Sequence, residues 1–190
     1  MPIDSAEQLL RPPTPQDRVP CHTSAWMCAF DKERRRQEAV DQSGALALHS
    51  HPELKRIVDL AAIHYGTAFA AVSIIHKRTQ VLLAEHGFNS NGTHRNTAFC
   101  AVAIQHPGEP LIVPDAHADW RFAGYATVLS EPFLRFYAGV PVLDGAGYAL
   151  GALCVADNKP RLTPFDPTLL TMMAREVERQ IQGAALNLGR

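Results

Sequence analysis

The sequence has no apolar run long enough to span a membrane, and its opening residues, MPIDSAEQLL, lack the basic start and apolar core of a secretory leader. The expectation is a cytoplasmic chain with no membrane partner. Charge of one sign is missing too: 18 Lys and Arg against 19 Asp and Glu leave a net charge of -1. With both signs spread along the chain there is no basic surface for phosphates, and nucleic acid is not an expected partner. Cysteine is scarce. Cys21, Cys28, Cys100 and Cys154 fit neither a close-spaced zinc pattern nor a dense disulfide framework. Cys100 and Cys154 lie in apolar runs where buried free thiols are common, which points to a reducing compartment.

What the 190 residues do contain is enough apolar material for one domain with extensions. Residues 1–30 hold five of the fourteen prolines and read as a disordered tail. Residues 31–47 are a charged helical lead-in, with Arg34, Arg35 and Arg36 on a solvated face. Residues 48–183 carry the domain, and 184–190 are a C-terminal tail. Ser50 ahead of Pro52 and Glu53 suggests a helix cap, followed by Leu54, Ile57, Val58, Ala61 and Tyr65 at helical spacing up to Gly66. Phe69–His76 and Gln80–His86 read as a hairpin, GFNSNGTHRN as a surface loop, and Thr97–Gln105 as a short buried helix capped at Asn96 or Thr97. Leu111–Pro114 is a short strand. The irregular stretch Asp115–Pro132 carries Trp120, Phe122 and Tyr125 among polar heads, as a lid over a pocket would. A last helix opens at Thr163 and Pro164, with Leu170, Met173, Val177 and Ile181 as its stripe, widened by Leu169 and Met172.

The centre of the chain is Leu134–Asp157, two nearly all-apolar strands joined by a loop with Asp144, Gly145 and Gly147. Alternation puts Leu134, Phe136, Ala138, Val140 and Val142 on one face of the first strand. In the second it puts Leu150, Ala152 and Cys154 on one face and Ala149, Gly151, Leu153 and Val155 on the other. A hairpin apolar on both sides belongs in mid-sheet under helices, and its small residues leave room for side chains or a ligand.

Taken in order, several segments resemble the GAF domain family. They are Phe99-Cys100-Ala101, Pro110 to Ala116, Asp119 to Phe122, Arg135 to Pro141, Gly151 to Asp157 and the Thr163-Pro164 helix start. The resemblance covers about residues 48–183. It implies an α+β (α/β sandwich) fold, a central antiparallel sheet in the order 2-1-5-4-3. The terminal helices lie on one face, and shorter helices and loops enclose a ligand pocket on the other. It also implies pairing of two copies through the terminal helices, a homodimer.

Within that frame Phe99, Trp120, Phe122, Phe136 and Tyr137 are the expected apolar lining of a pocket under the 115–132 loop. Asp115, Arg121 and Arg135 are its polar contacts, and Cys100 is the remaining candidate. Arg135 either pairs with Asp115, Asp119 or Asp157 or holds a ligand anion in two-pronged fashion. Cys100, at a helix start whose dipole acidifies a thiol, is the only catalytic candidate, and a packing role is favoured over it. The family's free methionine sulfoxide reductases suggest a thiol-dependent enzyme, but Leu129–Phe136, where the main reactive cysteine is expected, has none. Asn158, Lys159 and Phe165 match part of the asparagine-lysine-phenylalanine-aspartate-glutamate signature of cyclic-nucleotide-binding members, while its acidic pair falls on Leu169 and Leu170. No histidine follows Cys100 or Cys154 as a bilin site requires, and Asp115, His117 and Asp119 read as solvated loop residues rather than metal ligands. No cofactor is assigned. The expectation is a stand-alone sensory or regulatory module that binds a small molecule without catalysis and signals to a partner in trans. The alternatives are the Cys100 reductase and an interaction domain whose pocket is filled by its own side chains.

Overall fold

In the computed structural model, residues 25–90 and 92–188 are described. Contacts divide the chain into Met1–Arg34 and Arg35–Arg190. Of the first unit, the described residues belong to helix α1 (Ala25–Gln42), in which Arg34 pairs with Asp31 at 2.6 Å and Cys28 is disulfide-bonded. The helix therefore starts six residues before the expected lead-in and takes over the end of the expected tail, whose residues 1–24 lie outside the described set. The Cys28 disulfide also removes one support for a reducing compartment.

The second unit continues with α2 (Pro52–Tyr65), the hairpin β1 (Phe69–His76) and β2 (Thr79–His86), and β3 (Gly92–His94). Next come α3 (Phe99–Ala103), β4 (Leu111–Val113), α4 (Ala126–Leu129), β5 (Phe136–Leu143), β6 (Ala149–Asp157) and α5 (Thr168–Leu188). The sheet runs β3-β2-β1-β6-β5-β4, antiparallel throughout. The five expected strands keep their order. The difference is β3 at the edge, where Gly92, Thr93 and His94 of the expected loop pair with Val81, Gln80 and Thr79.

Helix starts are where the local reading departs most. His51, not Ser50, precedes α2; Ser50 has φ of 62°, and its N–H donates to the Leu83 carbonyl at 2.8 Å. α3 is only five residues long and follows Ala98, which offers no side-chain cap. α5 begins four residues after Pro164, because Asp166 accepts from the Thr168 N–H at 2.9 Å and from its hydroxyl at 2.6 Å. It then runs to Leu188, through most of the expected C-terminal tail.

Two apolar layers sandwich the sheet. Leu54, Ile57, Val58 and Ala61 of α2 and Leu170, Ala174, Val177 and Ile181 of α5 cover one face, packing on Val72, Ile74, Phe136, Val140 and Leu153. Met172, expected to widen the α5 stripe, is exposed, and Ala174 takes a place in the core. Strict alternation also fails in the central hairpin. Val142 pairs with Gly151 but Leu143 with Ala149, so Leu150 bulges out of register and joins Leu153 and Val155 on the helix face.

Two charged side chains satisfy that bulge. Arg36, buried rather than solvated, donates to the carbonyls of Ile75 at 2.8 Å, Ala149 at 3.2 Å and Leu150 at 3.5 Å. Glu178 accepts the Leu143 N–H at 2.9 Å and is balanced by Arg175. Buried backbone groups left unpaired here would cost more than ordering these two side chains.

Candidate functional site

The second face of the sheet is covered by α3, α4 and loops, and there the strands carry small residues. Ala71, Cys154 and Gly139 lie in register across β1, β6 and β5, and Ser73, Ala152 and Pro141 form the next row. Over Ala71 and Cys154, and the neighbouring Ala156, is a cavity of about 560 Å³. Its walls come from Gln80 and Leu82 of β2, Phe99 and Cys100 of α3, Gly87–Ser90, Thr93, and Glu131–Leu134. Small floor residues and short covering elements leave this space open, in contrast with the helix-packed face.

One wall is an aromatic stack. Phe99 lies between Phe122 (ring centroids 4.4 Å apart) and Tyr137 (5.0 Å), with Tyr125 edge-on to Phe99 and Phe122. Tyr137 folds back over Gly139: a Cβ built there would sit 2.1 Å from the tyrosine oxygen, so only glycine admits this packing. At the rim Phe88 stacks on Phe69 at 4.9 Å, and Phe133, half exposed, takes φ of 55°, an unusual conformation for a bulky residue. Thr127 Oγ1, buried on a cavity residue, has no hydrogen-bond partner among the described residues.

The polar chemistry gathers around one sulfur. Cys100 Sγ accepts from Tyr137 Oη at 3.2 Å and Gln80 Nε2 at 3.3 Å, and lies 3.9 Å from Cys154 Sγ. Thr93 Oγ1 donates to Gln80 Oε1 at 3.1 Å, fixing the amide's orientation. The neighbouring Cys154 thiol holds Cys100 below its ordinary value, at about 7, and the Tyr137 hydroxyl works in the same direction against burial. Cys154 is pushed well up in return. Burial likewise raises Tyr137 well above its ordinary value. The expected cause for Cys100, a helix dipole, is replaced by these neighbours, since α3 is barely more than one turn.

Of the nine expected site residues, Phe99, Cys100 and Tyr137 line the cavity. Phe122 backs it through the stack on Phe99. Phe136 points the other way, into the helix-face layer, because it is one residue out of phase with Tyr137. Trp120 is 90% exposed, so it is no part of an apolar lining. Arg135 Nε and Nη2 donate to Asp115 at 2.6 and 2.7 Å, which makes the pair one of the alternatives held open for that arginine. Arg121 clasps Asp119 in the same manner, and Asp115 also accepts the His117 N–H at 3.1 Å. The charged groups at the Asp115–Phe122 end of the expected lid are thus engaged by Arg135 and by each other, and Thr127 and Glu131–Leu134 form the cavity side of that connection.

Residue patterns missed Gln80, Thr93, Phe88 and Phe133. Two left a signal: Gln80 is a polar residue at an inward position of an apolar strand, and Phe88 is the lone aromatic in a loop of turn formers.

The GAF domain family model matches residues 21–181. A cyclic di-GMP phosphodiesterase of Pseudomonas aeruginosa is 37% identical over 153 residues, which are 80% of this chain. The chain spans about a quarter of that relative's length, 26%. The expectation of a module with no enzymatic role is corrected by this relative, which is named as an enzyme; nothing in the chain's own residue patterns carried that signal. Among solved structures, the GAF domain of a phosphoenolpyruvate-protein phosphotransferase from Coxiella burnetii superposes with a TM-score of 0.60 at 16% identity, covering 88% of this chain and 100% of that one. A free methionine-R-sulfoxide reductase from Neisseria meningitidis gives 0.57 at 16% identity, covering 82% and 88%. At such identities these two speak for the fold alone. The match of sequence, strand order and layered architecture together places this chain in the GAF domain family.

Proposed function

We propose that the chain is a sensory or regulatory GAF module whose role is tied to an enzyme of cyclic di-GMP hydrolysis, as the Pseudomonas relative suggests. A small molecule would bind in the cavity between the sheet and residues 87–90, Thr93 and 131–134, and occupancy would be passed to a partner in trans. The observation carrying this reading is the cavity itself: about 560 Å³, within the range of small-molecule sites, with aromatic walls and a few convergent polar groups. Its volume also speaks against the alternative of a pocket filled by its own side chains.

Phe99, Tyr137, Phe69 and Phe88 would enclose the ligand's apolar part, with Gln80, Thr93 and the unpartnered Thr127 hydroxyl as hydrogen-bonding groups. Leu60 and Ile63 of α2 and Met172 and Leu186 of α5 remain exposed, which supports homodimerisation through the helix layer. A cytoplasmic setting agrees with the finding that no helix among the described residues is long and apolar enough to cross a membrane.

Native mass spectrometry of the gently purified protein tests the binding. The expected result is an added mass that leaves on denaturation and is lost in Ala156→Leu, which fills the cavity from β6. A bare chain mass, with no small molecule raising the melting temperature in a metabolite screen, counts against the reading. Hydrolysis of cyclic di-GMP by a phosphodiesterase, assayed with and without the chain, reads the coupling. Sedimentation that shows only monomer at high concentration removes the dimer.

A further inference from the structure

Cys100 and Cys154 are 54 residues apart in sequence, yet their sulfurs are 3.9 Å apart across the junction of α3 and β6. Both are free thiols, both are buried, and both border the same cavity. No other described cysteine is free. Two thiols in contact at the wall of a space far larger than a water molecule differ from packing cysteines sealed in a core. We infer that Cys100 and Cys154 form a peroxide-oxidisable dithiol, a redox site that closes to a disulfide inside the cavity. This inference stands independently of any ligand bound there.

The surroundings assign the order of events. Cys100 accepts hydrogen bonds from Tyr137 Oη and Gln80 Nε2, two donors that stabilise a thiolate. Its lowered pKa, about 7, is consistent with its being the attacking sulfur. The Cys100 thiolate attacks one oxygen of hydrogen peroxide, the O–O bond breaks, and the departing hydroxide takes a proton to leave as water. Cys100 is then a sulfenic acid. The Cys154 sulfur attacks Cys100 Sγ, the S–O bond breaks, and the hydroxyl leaves as a second water with the Cys154 proton. In sum, two thiols and one peroxide give one disulfide and two waters. A disulfide needs its sulfurs at about 2 Å, so the gap must shorten by about 2 Å. Tyr137 and Gln80 would then lose their thiolate acceptor, so closure would alter two cavity residues together.

The test uses the chain as purified, with the Cys28 disulfide intact, and a slight excess of hydrogen peroxide. After quenching, free thiols are blocked with a maleimide under denaturing conditions and the digest is mapped by mass spectrometry. The expected product is about 2 Da lighter before blocking, takes up two fewer maleimides, and yields a reducible Cys100–Cys154 peptide pair. In Cys154→Ala, a dimedone adduct on Cys100 is expected, because no resolving thiol remains. If both cysteines of the wild type still react with maleimide, or finish as sulfinic acids, or if Cys100 is linked instead to Cys21 or Cys28, the inference is overturned. The wild-type map decides this even if the variant does not fold.

Discussion

The two faces of the sheet are built from the same strands and do opposite things. Toward α2 and α5, β1, β6 and β5 present Val72 and Ile74, Leu153 and Val155, and Phe136, Val140 and Val142. Toward the loops they present Ala71 and Ser73, Ala152, Cys154 and Ala156, and Tyr137 with Gly139. Large residues under long helices make a filled layer; small residues under a one-turn helix and loops leave a cavity of about 560 Å³. One face is therefore filled while the other keeps an open space beside its own buried cluster, and alternation along each strand keeps the two separate.

The sharpest way to break the contrast is to delete the same atoms from each face. Leu153→Ala, in the filled layer, is expected to cost about 3 to 4 kcal/mol, because nothing can collapse into the hole. Leu82→Ala, on the cavity wall, is expected to cost about 2 kcal/mol, since part of its surface already faces open space. Urea unfolding of both variants measures the difference; equal losses would deny that the faces are packed differently. Arg36→Met comes next. It frees the carbonyls of Ile75, Ala149 and Leu150 and is expected to cost about 2 to 3 kcal/mol, with faster hydrogen exchange at the β5–β6 bulge.

Adding atoms sharpens the comparison from the other side. Ala174→Leu on α5 overpacks the filled layer and is expected to cost about 2 kcal/mol. Ala156→Leu grows into the cavity and is expected to cost less than about 1 kcal/mol while abolishing small-molecule binding. Gly139→Ala separates the two effects. The new methyl would meet the Tyr137 hydroxyl at 2.1 Å, push the ring away from Cys100, and cost about 2 kcal/mol in unfolding experiments. If Ala156→Leu proves as damaging as Ala174→Leu, the space beside β6 is not open in solution.

How much of this is legible in the sequence follows the same division. The filled face is the more legible, since Leu54, Ile57, Val58 and Ala61 on one helix and Leu170, Val177 and Ile181 on the other repeat at helical spacing, a signal set by local geometry. Strand order came through the family resemblance and survives with one added edge strand. The cavity is legible in part: Phe99, Cys100 and Tyr137 are expected at it and line it, whereas Ala138, Gly139, Gly151 and Ala152, the small residues of the central hairpin, do not, Ala138 facing the helices and Gly151 pairing with Ile74 and Val142 of that same layer. The rest of its walls is not, because Gln80, Phe88 and Phe133 reach it from separate loops and strands whose meeting is a tertiary fact. Trp120 misled for the same reason: an aromatic in a long loop looks like a lid until its exposure is known. The bulge at Leu150 lies beyond alternation altogether, since its cost is met by Arg36 and Glu178 from distant helices.

The smallest expected effect concerns the connection between β4 and β5, which belongs wholly to neither face. Arg135 donates two hydrogen bonds to Asp115 and thereby holds that carboxyl below its ordinary value. A carboxyl whose folded value lies below its unfolded value, near about 3.9, adds stability that is complete above the unfolded value and disappears as pH falls through the folded one. Wild type should therefore exceed Asp115→Asn in stability at neutral pH and converge with it in acid. Solvent reaches the pair and screens it, so added salt should narrow the neutral-pH gap. Urea midpoints at neutral and acid pH measure this directly. A gap that persists unchanged in acid would assign Asp115 a purely geometric role, through the His117 N–H it accepts, rather than an electrostatic one.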